Sequence, residues 1–235
     1  MTTTPRAYSV VLDWLEEQLR AGDIVVGDKL PGERALAEQF GISRASVREA
    51  TRILDAMGLV RSAVGSGPNA GAIVISEPSA ALAWALRMHV ATRALPVPDL
   101  AQTRLLLETQ AARDAAAAPE SEDRTDTLAR AGEILDLMDH PGLPAPEFHA
   151  LDAQFHILLT SLAGNVVVET MMSSLREATI GYIQETVADL PDWHAISRVI
   201  QEQHREVLAA VEAREGERAA TLLHDHITWF SQLGS

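Results

Sequence analysis

The chain has 235 residues, no cysteine and a formal net charge of −14. That length suits two modest domains, the lack of cysteine excludes disulfides and thiolate metal sites, and no apolar run reaches the roughly 18 residues of a membrane span. Met1 to Arg6 is polar with no apolar stretch behind it, so no signal peptide is expected and a cytoplasmic location is the default.

Tyr8 to Ala21 reads as the first helix, with Tyr8, Val11, Leu15 and Leu19 at helical spacing and Gly22 as its stop. Pro31 precedes a second helix, Glu33 to Phe40, where its missing N–H costs little. Gly41-Ile42-Ser43 is a turn, and Ser43 suits the N-cap of a third helix, Arg44 to Met57, which Gly58 ends. Advancing each residue by 100° gathers Val47, Ala50, Ile53, Leu54 and Met57 on one side and Arg44, Arg48 and Arg52 on the other. A major-groove helix needs arginines in its first turns, because a guanidinium can grip guanine with two hydrogen bonds. An amphipathic helix with solvated arginines gives the same stripe. Leu59-Val60-Arg61 and Ala72-Ile73-Val74-Ile75 read as short strands around a turn-rich tip from Val64 to Gly71. Three helices and a hairpin make a winged helix-turn-helix over residues 1–75.

Charge agrees with that division. Residues 1–75 hold eight Arg/Lys and nine Asp/Glu, whereas residues 76–235 hold eleven Arg and twenty-four Asp/Glu. The acidity belongs to the second part, which DNA should repel.

Ser76-Glu77-Pro78-Ser79 reads as a linker, residues 76–79. Beyond it the sequence predicts seven helices, about 80–94, 98–118, 122–139, 145–163, 166–188, 192–214 and 217–232, punctuated by proline and glycine. Short connections between long helices give an antiparallel bundle over residues 80–235. The expected fold class is therefore mainly α: a winged helix-turn-helix followed by about seven helices.

Chemistry in such a bundle should lie where facing helices converge. Asp152 and His156 are four apart and share a helix face. His204 lies twelve residues before Gly216 and His226 ten residues after it. If Gly216 turns an antiparallel hairpin, the two stand side by side, roughly 15–18 Å from the turn. One aspartate and three histidines would suit zinc, nickel, manganese or iron and leave positions open for water or a ligand. Satisfied or exposed histidines remain the alternative. His224 competes with His226 but points about 200° away.

The segment GDKLPGERALAEQFGISRASVREATRILDAMGLV and the glycine-rich wing after it resemble the GntR family of bacterial transcription regulators. The bundle resembles the FCD ligand-binding domain of that family's FadR subfamily, through Arg104-Leu105-Leu106-Leu107-Glu108, Leu151-Asp152-Ala153-Gln154-Phe155-His156, Ala163-Gly164-Asn165, His204 and His226-Ile227. The resemblance implies operator contacts at Arg34, Ser43, Arg44 and Arg48, and at Gly67 in the wing. It implies a divalent metal on Asp152, His156, His204 and His226, with zinc first. It also implies that Arg104 turns inward to grip the carboxylate of a small organic acid effector. The other reading of Arg104 is an ion pair with Glu108 at i+4 on a solvated face. Asn165 reads as a helix cap.

These readings predict a homodimeric, cytoplasmic bacterial regulator, nucleoid-associated when bound to a pseudo-palindromic operator in double-stranded DNA. It should be a repressor and not an enzyme, with no membrane partner. A metal-dependent hydrolase or isomerase built on the bundle is the alternative, because a metal with open positions can activate water.

Overall fold

The computed structural model describes residues 6–63, 71–188 and 192–233. They form two compact units that divide between Leu82 and Ala83.

The first unit contains α1 (Ser9–Ala21), α2 (Glu33–Phe40), α3 (Arg44–Ala56), β1 (Val60–Ala63) and β2 (Gly71–Val74). Val11, Leu36, Val47 and Ala50 form one buried cluster where the three helices meet. Leu15, Leu30, Leu54, Val60 and Val74 form another beneath the strands. The strands pair antiparallel, with Val60 opposite Val74 and Ala63 opposite Gly71. Ser43 caps α3 as expected, its hydroxyl accepting the Ser46 N–H at 3.0 Å. Met57 was expected on the buried face of α3 but is 51% exposed, because it lies just past the end of that helix. Gly58 then adopts a left-handed φ of 70°, and a Cβ there would meet the Glu77 carbonyl oxygen at 2.2 Å. Only glycine fits this crossing of backbones.

The expected linker is shorter than four residues. Helix α4 (Pro78–Ala91) already includes Pro78 and Ser79, because proline's fixed φ suits a first helical position. The remaining helices are α5 (Val97–Ala117), α6 (Glu122–Met138), α7 (Ala145–Ser161), α8 (Val166–Ala188), α9 (Trp193–Glu212) and α10 (Gly216–Gln232). All seven expected helices are present, with ends shifted by a few residues at most. The fold is mainly helical, with one small two-stranded sheet among the described residues.

Helix α5 lies at the centre of the second unit and packs against α7, α8, α9 and α10. Its alanines explain how. Ala111, Ala112, Ala115 and Ala116 are buried, as are Ala219 and Ala220 of α10, and small side chains let two backbones approach closely. The tightness shows at Gly216, where an added Cβ would stand 3.3 Å from the Arg113 carbonyl oxygen. Larger apolar residues, Leu135, Met138, Phe148, Phe155, Ile200 and Val211, fill the rest of this core.

The hairpin between α9 and α10 turns one step earlier than expected. Arg214 takes the left-handed conformation (φ 61°) and Gly216 opens α10. The Glu215 N–H caps α9 by bonding to Ala210 O at 2.9 Å. Arg214 offsets the strain of a left-handed non-glycine residue with its side chain, which bonds to Ala118 O at 2.9 Å and pairs with Glu120. The midpoint between residues 204 and 226 thus falls at Glu215, inside the turn, which keeps the two histidines level across the hairpin.

Candidate metal centre and nucleic-acid interface

Asp152 and His156 project from one face of α7, His204 from α9 and His226 from α10. Each offers one ligand atom, and these four atoms lie within 4.8 Å of one another. His204 Nε2 is 3.2 Å from His156 Nε2 and 3.2 Å from His226 Nε2. Asp152 Oδ1 is 3.4 Å from His204 Nε2 and 3.8 Å from His156 Nε2. The three histidines are buried, and the Asp152 side chain, 17% exposed, is the most open of the four.

The hydrogen bonds fix where the lone pairs point. His156 Nδ1 faces Glu108 Oε2 at 2.5 Å, and His226 Nδ1 faces Gln203 Oε1 at 2.8 Å. Each Nδ1 therefore donates its proton outward, which leaves each Nε2 bare and turned inward. A proton on His204 Nε2 can satisfy one of these two neighbours, not both. Ligands about 2.0–2.2 Å from a common ion stand roughly 3–3.5 Å apart at octahedral or tetrahedral angles. The observed separations suit one divalent ion. His204 Nδ1 is buried with no hydrogen-bond partner among the described residues, so of the three imidazoles it alone lacks an outward partner.

Electrostatics favours the same arrangement. Burial pushes His204 well below the ordinary imidazole range, lowers His156, and takes His226 down to about 3. All three stay neutral at pH 7, the form in which imidazole binds metals. Burial acts to raise Asp152 and Glu108, but opposing charge prevails at both. With His156 neutral, Arg176 holds Asp152 ionised, and Arg176, Arg104 and the hydrogen bond from His156 Nδ1–H hold Glu108 ionised.

Sequence reasoning missed three residues here: Glu108 as a partner of the site, Arg176 and Gln203. Arg176 of α8 donates from Nη1 to Asp152 Oδ2 at 3.0 Å and from Nη2 to Glu108 Oε2 at 3.1 Å. A signal for Arg176 exists, since it shares its face of α8 with buried Met172, Leu175 and Thr179. A lone cation on an apolar stripe wants an anion. Gln203 has no such signal.

The solvated reading of Arg104 and Glu108 is corrected. Arg104 Nε does donate to Glu108 Oε1 at 2.9 Å, but the two side chains are only 12% and 1% exposed. The pair lies in the interior because Glu108 shares the α5 face of Ala111, Ala112 and Ala115, which packs inward. Asn165 caps α8, its Oδ1 accepting from Val167 and Val168 N–H at 3.1 and 3.2 Å.

In the first unit, Arg34, Ser43, Arg44 and Arg48 are exposed around the α2–α3 turn. Arg48 bonds Glu33 Oε2 at 3.1 Å, and Arg34 lies 3.7 Å from Glu38. Arg44 has no ion-pair partner among the described residues. Gly67 lies outside the described residues, as does most of the expected wing tip.

A winged helix-turn-helix followed by a helical bundle with a buried His/Asp cluster points to a class, the DNA-binding transcription regulators. Residues 7–68 match the gntR family of bacterial regulatory proteins, and residues 99–228 match the FCD domain. The chain belongs to the GntR family and carries an FCD domain. It is 30% identical to the HTH-type transcriptional regulator LutR of Bacillus subtilis, over 89% of this chain and 93% of that protein. It is 28% identical to the HTH-type transcriptional repressor NanR of Cronobacter sakazakii, over 93% of this chain and 81% of that one. Its fold is similar to that of Streptococcus agalactiae GntR, with a TM-score of 0.61 and 21% identity over 94% of this chain and 95% of the other. These relatives are transcriptional regulators. The chain is a DNA-binding transcription regulator and not an enzyme, so the hydrolase or isomerase alternative finds no support. No helix among the described residues is long and apolar enough to cross a membrane.

Proposed function

We propose that the protein is a cytoplasmic, homodimeric repressor of the FadR subfamily, released from its operator by a small carboxylate bound at a divalent metal. Residues 1–75 read the DNA through Arg34, Ser43, Arg44, Arg48 and Gly67, and residues 80–235 sense the acid. The observation that carries this reading is the convergence of Asp152 Oδ1 with the Nε2 atoms of three imidazoles from three helices. Zinc is the preferred ion, because it favours nitrogen ligands and a small coordination number; nickel, manganese or iron would accept the same donors.

When bound, the ion supplies a Lewis-acidic position that a carboxylate oxygen can take. The residues of this chain do the rest. Glu108 and Gln203 orient His156 and His226. Arg104, held by its Nε on Glu108, keeps its two terminal nitrogens for the effector's carboxylate, a pairing that a planar guanidinium makes well. Repression is supported by the name of the NanR relative, and a pseudo-palindromic operator by the two-fold symmetry of a dimer.

The test is a gel shift on the DNA flanking the protein's own gene, with metal-loaded and chelator-treated protein, across a panel of organic acids. The reading requires a specific complex that one of the acids dissociates only when the metal is present. Loss of DNA binding on chelation alone, or release by the same acid without metal, would contradict it.

A further inference from the structure

Arg176 is 3% exposed at its side chain, and it reaches two carboxylates at once. Nη1 bonds Asp152 Oδ2 at 3.0 Å, while Nη2 lies 3.1 Å from Glu108 Oε2 and 3.3 Å from Glu108 Oε1. Asp152 and Glu108 serve the same cluster from different helices. One supplies Oδ1 to it, and the other bonds the Nδ1 of His156. Two buried carboxylates this close would repel each other without a cation between them. A planar guanidinium spans both with donors held in a fixed fork, which an ammonium's freely rotating donors do not supply.

The geometry points to a positioning role for Arg176 in the metal centre proposed above, on which this inference rests: Arg176 occupies Asp152 Oδ2, so that Asp152 meets the ion through Oδ1 alone, and its other arm holds Glu108 against His156. An aspartate with both oxygens free could chelate the ion or swing away from it. With Oδ2 taken, the ligand set is fixed at three nitrogens and one oxygen, and the remaining positions stay open for an effector. Arg176 thus governs both the affinity and the coordination number of the site without touching the ion.

A purely structural role makes a different prediction, and a second buried arginine provides the control. Arg124, 4% exposed, donates to Ala115 O at 2.6 Å and Val211 O at 3.0 Å and contacts none of the cluster. The experiment titrates the full-length protein with cobalt(II), using a competing chelator for affinity and visible absorption for coordination. Arg176→Met should weaken cobalt binding by about 10–100-fold, the usual effect of removing a group that orients a ligand. It should also change the visible spectrum as Asp152 Oδ2 is freed. Arg176→Lys should fall between parent and Arg176→Met, and it carries the comparison if the Met variant does not fold. Arg124→Met should lower the melting temperature and leave affinity and spectrum unchanged. In an Asp152→Ala background the effect of Arg176→Met should shrink, because the two act through one contact. Parent-like affinity and spectrum in folded Arg176 variants would overturn the role of Arg176 while leaving the metal site intact. A parent protein that takes up no cobalt would overturn the metal reading and this inference with it.

Discussion

His204 Nε2 and His226 Nε2 stand 3.2 Å apart across the α9–α10 hairpin, 22 residues from each other in the chain. His224 lies on the same helix as His226, but its side chain is 52% exposed and it faces Asp225 at 3.2 Å. We therefore predict that His204→Ala or His226→Ala removes the bound metal, while His224→Ala keeps it. Metal analysis of the purified variants checks this. Equal loss in the His224 variant would contradict the assignment.

Acid should destabilise the metal-free protein early. The native pKa of His156, His204 and His226, and of buried His149 beside Trp193, is depressed by burial. Between the unfolded value near 6.5 and the native one, the unfolded chain binds a proton that the native chain refuses. Stability is then fully present above about pH 6.5 and falls as pH drops, by about 1.4 kcal/mol per pH unit for each histidine inside its window. For His226 that window runs from 6.5 to about 3. Urea denaturation of chelator-treated protein at a series of pH values should show a decline starting below pH 6.5. A flat profile from pH 7 to 5 would count against neutral buried imidazoles.

DNA binding should depend on Arg44 and Arg48. Arg48 lies 3.1 Å from Glu33 at the start of α2, an exposed pair weak enough for a base to replace. Arg48→Ala should cost about 1–3 kcal/mol for each base the side chain no longer grips and relax specificity there, and operator binding should weaken steeply with salt. Titration of labelled operator at several salt concentrations measures both effects. A folded Arg44→Ala, Arg48→Ala protein that binds like the parent would show that another surface reads the DNA.

Arg104→Ala should separate sensing from repression. Glu108 would keep Arg176 and His156 as partners, so the fold and the metal should survive. The carboxylate would lose its cation. A ligand shifts an equilibrium only through different affinities for the two states, so this variant should stay on the operator at acid concentrations that release the parent. The measurement is an operator titration with the acid that co-purifies with the protein, identified by mass spectrometry. Release at the parent's concentration would leave Arg104 as a purely internal partner of Glu108.

Much of the fold was legible because punctuation is local. Ser43, Gly41, Gly58, Asn165 and the prolines each mark a helix end by their own backbone or side-chain chemistry. Arg93 and Arg214 were not legible as stops, since a left-handed arginine has no residue-type signature. Asp152 with His156 followed from helical spacing, and His204 with His226 from symmetry about one turn. Glu108 was not legible as a partner of the cluster because His156 and Arg176 lie 48 and 68 residues away. Only the packing of α5 against α7 and α8 brings them together. The spacing of one helix cannot say which of its faces meets which neighbour.

In the proposed centre Asp152, His156, His204 and His226 hold one ion between them. Anomalous scattering from crystals grown with zinc, recorded on both sides of the zinc absorption edge, tests it most directly. One strong peak per chain is expected, bounded by Asp152 Oδ1 and the Nε2 atoms of His156, His204 and His226, with Arg176 on Asp152 Oδ2. No peak at that place, or a peak only at exposed His224 and Asp225, would contradict it.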